Sequence, residues 1–134
     1  MTIKRQRFDG FVSEFSRWAA NLPDILAVAL VGSYARNEAT DTSDVDLVIL
    51  AREPEAYLQE TQWARYFGPI DRQQIENYGK VTSLRIWYSA GHEVEYGFTD
   101  RTWAALPLDE GSKKVISGGM EILYERESIL SRLK

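Results

Sequence analysis

The apolar positions of this chain change period along its length, and each period predicts an element. In "RQRFDGFVSEFSRWAA", residues 5–20, Phe8, Phe11, Phe15 and Trp18 recur at intervals of three, four and three, which predicts one face of a helix. Pro23 closes it, because proline disfavours helix in the residue before it. "ILAVALVG", 25–32, is apolar at every position before Gly32 and predicts a strand buried on both faces. Residues 33–38 predict a short helix start, and 39–43 a polar loop. "DVDLVILA", 44–51, predicts a second buried strand whose first and third residues are aspartates. "PEAYLQETQWARYFG", 54–68, predicts a helix with Pro54 in its first turn. "VTSLRIWYSAGHEVEYGFT", 81–99, carries two alternating, aromatic-rich runs around Ala90-Gly91 and predicts a hairpin. "RTWAALPLDEGSKK" predicts a short helix and then a loop. "VISGGMEILYERESILSRLK" predicts a short strand, a Gly-Gly turn and a last segment ending in a helix. Strands interspersed with helices argue for an α/β or α+β fold, a mixed β-sheet flanked by helices. Nothing repeats and no linker divides the chain, so residues 1–134 are expected to form one domain.

Composition narrows the functions open to such a fold. At 134 residues the chain is long enough for a real core. Sixteen basic against twenty acidic residues give a net charge of -4. A nucleic-acid binder draws much of its affinity from phosphate neutralisation by Lys and Arg, so nucleic acid is not the expected partner. The absence of cysteine excludes disulfides, thiol catalysis and thiolate metal sites, and fits the cytoplasm. "MTIKRQRFDGFV" has basic residues with no apolar core behind them, so no signal peptide is expected. The run "ILAVALVG" is too short to span a bilayer. A soluble, cytoplasmic domain is the expectation.

The chemistry concentrates in "VGSYARNEATDTSDVDLVIL", residues 31–50. Side chains of a strand alternate, so Asp44 and Asp46 project to the same side, about 6.6 Å apart along the chain at roughly 3.3 Å per residue. Two carboxylates entering a core repel one another and lose hydration, and a divalent cation between them removes both problems. Oxygen ligands with positions left for water and phosphate suit Mg2+. Two such ions would serve an attacking and a leaving oxygen. Upstream, Gly32 lets a phosphate approach the backbone, Ser33 adds a hydroxyl donor, and Arg36 adds charge one turn on. An anion cradle followed by a metal pair describes a site for a nucleoside triphosphate with its magnesium. No Gly-Lys-Ser/Thr follows, so this is not a Walker A loop.

"GSYAR" followed by "SDVDLVIL" resembles the signature of the polymerase-β-like nucleotidyltransferase superfamily. It is most similar to minimal bacterial domains related to aminoglycoside nucleotidyltransferases and to nucleotidyltransferase-type antitoxins. The later run "SLRIWYSAGHEVEYGFT" is similar to the part of these domains that supplies a third carboxylate. Where many relatives carry glycine after the arginine, this chain has Asn37, which tolerates left-handed backbone. The resemblance implies a mixed sheet with the cleft at one edge. It also implies Mg2+-dependent transfer of a nucleoside monophosphate from a nucleoside triphosphate, ATP being expected, to an acceptor hydroxyl. Asp44 and Asp46 then bind metal, Glu95 completes the metal site or takes the acceptor's proton, and Gly32, Ser33 and Arg36 hold phosphates. Glu93, on the same strand face as Glu95, is the fallback third acid.

Each residue also has a plain structural role to set beside the chemical one. Ser33 suits a helix N-cap. Ser43 suits a loop cap as well as a phosphate contact, Arg85 suits a cross-strand ion pair, and His92 suits the surface. Phe8, Phe11, Phe15, Trp18, Trp87 and Tyr96 read as core or interface. "REPE" and "YERES" read as solvated surface. Three functions stay open at this point: an enzyme modifying a small molecule, an antitoxin-like transferase adding AMP to a helical protein partner, and a nucleotide-binding or interaction module without catalysis. In the first case a homodimer built on the aromatic first helix would supply the missing wall of the acceptor site.

Overall fold

A computed structural model of the protein describes residues 3–40, 43–105, 108 and 110–133. Positions 41 and 42 of the predicted polar loop, and 106, 107 and 109 of the loop expected after the short helix, lie outside the described residues. The first helix, α1, spans Ile3–Ala20 and buries Phe8, Phe11, Phe15 and Ala19, with Trp18 packed beside them. That stripe is spent on the chain's own core, so the aromatic face expected as a dimer interface is already covered. The helix ends as the sequence dictates: Asn21 Nδ2 donates to the Arg17 carbonyl at 2.9 Å, and Pro23 follows.

Strand β1, Ile25–Val31, is buried along its whole length and lies inside the sheet. Gly32, at φ 75, opens the short helix α2, Gly32–Ala35, directly after β1, and Asn37 then takes φ 60, the left-handed turn its side chain tolerates. Strand β2, Val45–Ala51, returns antiparallel to β1, with Val31 opposite Asp46. The chain next departs from the predicted single helix over 54–68. Helix α3 covers Pro54–Gln59, Glu60 turns to extended backbone, and a 3-10 helix runs Gln62–Phe67. The break lets Trp63 fold back, its Nε1 donating to the Tyr57 carbonyl at 3.0 Å.

Three strands follow: β3, Ile70–Tyr78; β4, Val81–Tyr88; and β5, Glu93–Thr99. The β4–β5 hairpin turns at the expected place, whereas β3 has no counterpart in the hydrophobic pattern. A 3-10 helix, Arg101–Ala104, leads to helix α4, Glu110–Ser117. Val115 and Ile116, expected in a strand, belong to that helix, and the strand comes after the Gly-Gly turn as β6, Glu121–Glu125. The final segment closes in one 3-10 turn, Ser131–Leu133.

The sheet order is β3-β4-β5-β2-β1-β6. Among the described residues its pairs are antiparallel except β2–β5, which run parallel with Asp46 opposite Glu95. This is a mixed sheet with flanking helices. One face is closed by α1 and the 3-10 helix at 62–67. Deep in that core Tyr88 donates to the Ala64 carbonyl at 2.9 Å, and the Tyr88 and Tyr96 hydroxyls lie 2.7 Å apart, so both phenol tips are satisfied. On the other face Trp103, Ala104, Met120, Ile129 and Leu130 pack over the β1–β2 half. There Ser83, Gly97 and Thr99 are buried, while Arg85, Trp87, Glu93 and Glu95 of β4 and β5 are only half-buried.

Candidate active site

The alternation of β2 sends Leu47 and Ile49 into the core under α1 and sends Asp46 and Val48 to the other face. Alternation of β5 does the same, burying Val94, Tyr96 and Phe98 and turning Glu93 and Glu95 outward. Because β2 and β5 are parallel and in register at Asp46 and Glu95, the two strands deliver their acids side by side. Asp44 joins from just before β2. Each of Asp44, Asp46 and Glu95 offers a carboxylate oxygen, and these oxygens all lie within 4.8 Å of one another.

Among the three, Asp46 bears the cost of this crowding. Burial first, then Asp44 and Glu95, push the Asp46 carboxyl from 3.8 up to about 8. The donor set is all oxygen and half-buried, which is the chemistry of a hard divalent cation site. The residues present fit that group.

The turn above the acids is built for close approach. Gly32 has φ +75, and a Cβ at that position would run into the Asp46 carboxylate. The cap of α2 falls on Val31 with no side-chain capping bond, so Ser33 does not serve as the N-cap. A cleft of about 510 Å³ opens beside these residues. Gly32, Asp46 and Glu95 line it together with Arg36, Lys80 and Lys114. Its floor is Ser83 and Gly97, opposite one another in the β4–β5 ladder. A Cβ on Gly97 would come 2.9 Å from the Leu47 carbonyl, so the floor has no room to grow. Arg36 also pairs with Glu38 at 3.2 Å, and the Gly118-Gly119 turn packs against its stem.

The remaining expected residues fall elsewhere. Glu93 is held by Arg85, whose Nε donates to it at 2.7 Å; the same guanidinium donates to Glu76 at 3.1 Å and comes within 3.9 Å of Asp44. Glu95, not Glu93, thus joins the aspartates, and Arg85 is the cross-strand ion pair expected of it. Ser43 takes the loop-capping position: its Oγ accepts from the Thr40 N–H at 2.9 Å. It lines a separate cavity of about 290 Å³, walled by Phe8, Phe11, Tyr34 and His92. His92, expected at the surface, is half-buried and stacks on the Tyr88 ring, 4.6 Å between centroids. Trp87, read as core or interface, lies half-buried on the open sheet face with the Arg72 guanidinium 4.0 Å over its ring.

Lys80, Lys114 and Tyr78 are cleft residues that no local pattern marks. Tyr78 ends β3 and Lys80 lies in the β3–β4 turn, and Lys114 sits on α4, so only the folded arrangement brings them to the acids. The Tyr78 phenol is pushed up to about 12, by burial and then by Glu95 and Glu76.

The model of the nucleotidyltransferase domain family matches residues 12–87, more than half of the chain. This chain belongs to the nucleotidyltransferase domain family. The match covers Gly32, Asp44 and Asp46 and ends before Glu95, so the third acid's place beside them rests on the β2–β5 register. A candidate protein adenylyltransferase from Methanocaldococcus jannaschii is 39% identical over 46 residues, covering 34% of this chain and 47% of that relative. An aminoglycoside 6-adenyltransferase from Bacillus subtilis has a similar fold, with TM-score 0.55 and 19% identity over 70% of this chain and 34% of that one. Cid1, solved with a UTP analogue, aligns at TM-score 0.52 and 14% identity, covering 75% of this chain and 32% of Cid1. The chain therefore spans about half the length of its curated relative and about a third of these two solved proteins. At such identities the two structures show the shared fold alone. Among the described residues no helix is long and apolar enough to cross a membrane.

Proposed function

We propose that this nucleotidyltransferase moves AMP from ATP to a hydroxyl group on a protein acceptor and releases pyrophosphate. The observation that carries the reading is the convergence of Asp44, Asp46 and Glu95 oxygens within 4.8 Å, directly under the Gly32 turn. These three residues would hold Mg2+, two ions in the fullest arrangement. The bound metal supplies charge neutralisation for a triphosphate and polarises its phosphoryl oxygens.

The chain's own residues do the rest. Gly32, lacking a Cβ, lets the polyphosphate lie against the backbone, with the Ser33 hydroxyl next to it in the chain. Arg36, Lys80 and Lys114 put three positive charges along the cleft, where the leaving pyrophosphate accumulates negative charge. Glu95 takes the proton of the acceptor hydroxyl. The acceptor oxygen forms a bond to the α-phosphorus, the bond from that phosphorus to the bridging oxygen breaks, and its electron pair leaves with pyrophosphate. Positioning and charge compensation account for this chemistry without a covalent enzyme intermediate.

ATP and a protein acceptor are favoured by the curated relative's description as a protein adenylyltransferase. The half-buried Arg85, Trp87 and Glu93 beside the acids agree, since an acceptor presented on a folded surface needs an accessible approach. The deciding experiment incubates the protein with Mg2+, α-labelled ATP, GTP, CTP or UTP, and protein or small-molecule acceptors. Label from ATP is expected on a protein hydroxyl, and Asp44→Asn is expected to abolish it. Tight nucleotide binding with no transfer to any acceptor would replace this reading with a binding module.

A further inference from the structure

Strand β3 forms one edge of the sheet and, among the described residues, pairs with β4 alone. It is long for an edge, nine residues, without proline, and its ladder with β4 is regular from Arg72 to Tyr78, the one irregularity lying between Ile70 and Arg72. Among the described residues, the exposed large hydrophobic side chains gather here. Ile75 and Tyr78 lie on it at 50% and 56% exposure, and Tyr66, at 66%, lies in the 3-10 helix just before it.

The hairpin fixes which backbone groups face outward. Tyr78 pairs with Val81 across the two-residue turn Gly79-Lys80, and Gly79 has φ +81, as a type II′ turn requires. A turn of this type closes with a hydrogen-bonded pair, and such pairs alternate along an antiparallel ladder. Arg72, Gln74, Glu76 and Tyr78 therefore bond to β4, while Gln73, Ile75 and Asn77 aim their N–H and C=O groups away from the sheet.

We infer that this edge pairs with the same edge of a second copy, antiparallel, about a two-fold axis through Gln74. That axis sets odd residues opposite odd ones within the regular stretch, as the outward hydrogen bonds require, with Gln73 against Ile75. It also sets Arg72 of each copy opposite Glu76 of the other, so the strand's charges are self-complementary. Moving the axis by one residue either way leaves Glu76 against Ile70 or Gln74 and Arg72 without a carboxylate. Within one chain the Arg72 guanidinium is laid over the Trp87 ring, and Glu76 uses Oε1 on Arg85. A stacked guanidinium keeps its N–H edge for an in-plane acceptor.

An axis perpendicular to the sheet puts both acid clusters on the same face of one continuous sheet. Seven strand intervals separate one β2 from the other, about 34 Å at roughly 4.8 Å per interval. The pairing does not depend on the reaction proposed above, and its test reads mass, not transfer.

The test is sedimentation or light scattering of the full chain across a concentration series, with hydrogen exchange of β3. The wild type is expected at twice the chain mass, with the Gln73, Ile75 and Asn77 amides protected and losing protection on dilution. Arg72→Glu and Glu76→Arg are each expected to halve the mass, and the double exchange to restore it. Ile75→Pro removes an outward N–H without taking a bond from β4, so it is expected to give a monomer with unchanged circular dichroism. A wild type that is monomeric up to its solubility limit overturns the inference. So does a dimer that persists in Ile75→Pro and in both single charge variants.

Discussion

On the face under α1, Phe11, Phe15, Tyr96 and Phe98 are at most 8% exposed, and even the phenol hydroxyls are consumed inside the core. One residue before Leu47 in β2 and Tyr96 in β5, on the other face, Asp46 and Glu95 stand half-buried with Asp44 and repel one another. The two faces share backbone, register and strand sequence, and differ only in which parity of side chain they receive. The closed face converts burial into stability, while the open face holds charge that burial makes costly. A fold of this size can carry the second only because the first is complete.

The sharpest way to break the contrast is to remove the charge that the open face holds at a cost. Asp46→Asn is expected to reduce nucleotidyl transfer on the order of a thousandfold, the loss typical when a group that stabilises developing charge is deleted. Without metal the same change is expected to stabilise the fold. The Asp46 carboxyl sits near 3.8 in an unfolded chain and about 8 in the folded one. Between those values the folded state keeps a proton that the unfolded state has released, so folding is progressively disfavoured as pH rises, fully so above about 8. Melting temperatures of Asp46→Asn and wild type, measured in a chelator, should agree near pH 4 and separate in the variant's favour by several degrees at pH 8 or above. Saturating Mg2+ should recover the stability of the wild type and not of the variant. A wild type that outlasts Asp46→Asn at high pH in chelator would show that the acids are not strained.

Gly32→Ala tests the contact between the turn and the acids. Alanine at φ +75 costs about 1–2 kcal/mol, and its Cβ also collides with the Asp46 carboxylate. A loss on the order of 1–3 kcal/mol in urea melts is expected, with transfer down by about a hundredfold as Asp46 is displaced. Equal losses in Gly32→Ala and Asn37→Ala would assign the effect to backbone strain alone.

On the closed face the expected losses involve stability and no chemistry. Tyr88→Phe strands both the Tyr96 hydroxyl and the Ala64 carbonyl, so about 1–3 kcal/mol should disappear. Tyr96→Phe leaves the Tyr88–Ala64 bond intact and should cost about 1 kcal/mol or less. Urea melts of the two variants measure the difference, and transfer rates should stay at the wild-type level in both.

This division of labour was largely legible in the sequence where burial and chemistry leave a local mark. The stripe of Phe8, Phe11, Phe15 and Trp18, the unbroken run at 25–31 and the Asp44–Asp46 pair each announce an element because a buried surface constrains every second or every third and fourth residue. Strand β3 escaped because nearly all of "IDRQQIENY" is exposed: it is held by backbone pairing to β4, which imposes no hydrophobic period. Helix α4 was misread at Val115-Ile116 because eight residues are too few to separate a helical stripe from a short apolar strand. Lys80 and Lys114 were invisible as site residues for a different reason. Their place in the cleft depends on how α4 and the β3–β4 turn cross the sheet, and that is decided by packing far from either lysine.

Ser43 supplies the smallest and most discriminating measurement, because it stands beside Asp44 but faces away from the cleft. Its Oγ accepts from the Thr40 N–H and lines the aromatic-walled cavity, so its work is to shape the loop that presents Asp44. An exposed side chain–backbone bond of this kind contributes about 0.5–1 kcal/mol. Ser43→Ala is therefore expected to lower stability by that amount or less and to change kcat by no more than about threefold, with KM for the triphosphate unmoved. A tenfold rise in KM at constant stability, equivalent to about 1.4 kcal/mol of lost binding, would instead put its hydroxyl on a phosphate. It would also move the boundary between the two faces one residue upstream of where the strand alternation places it.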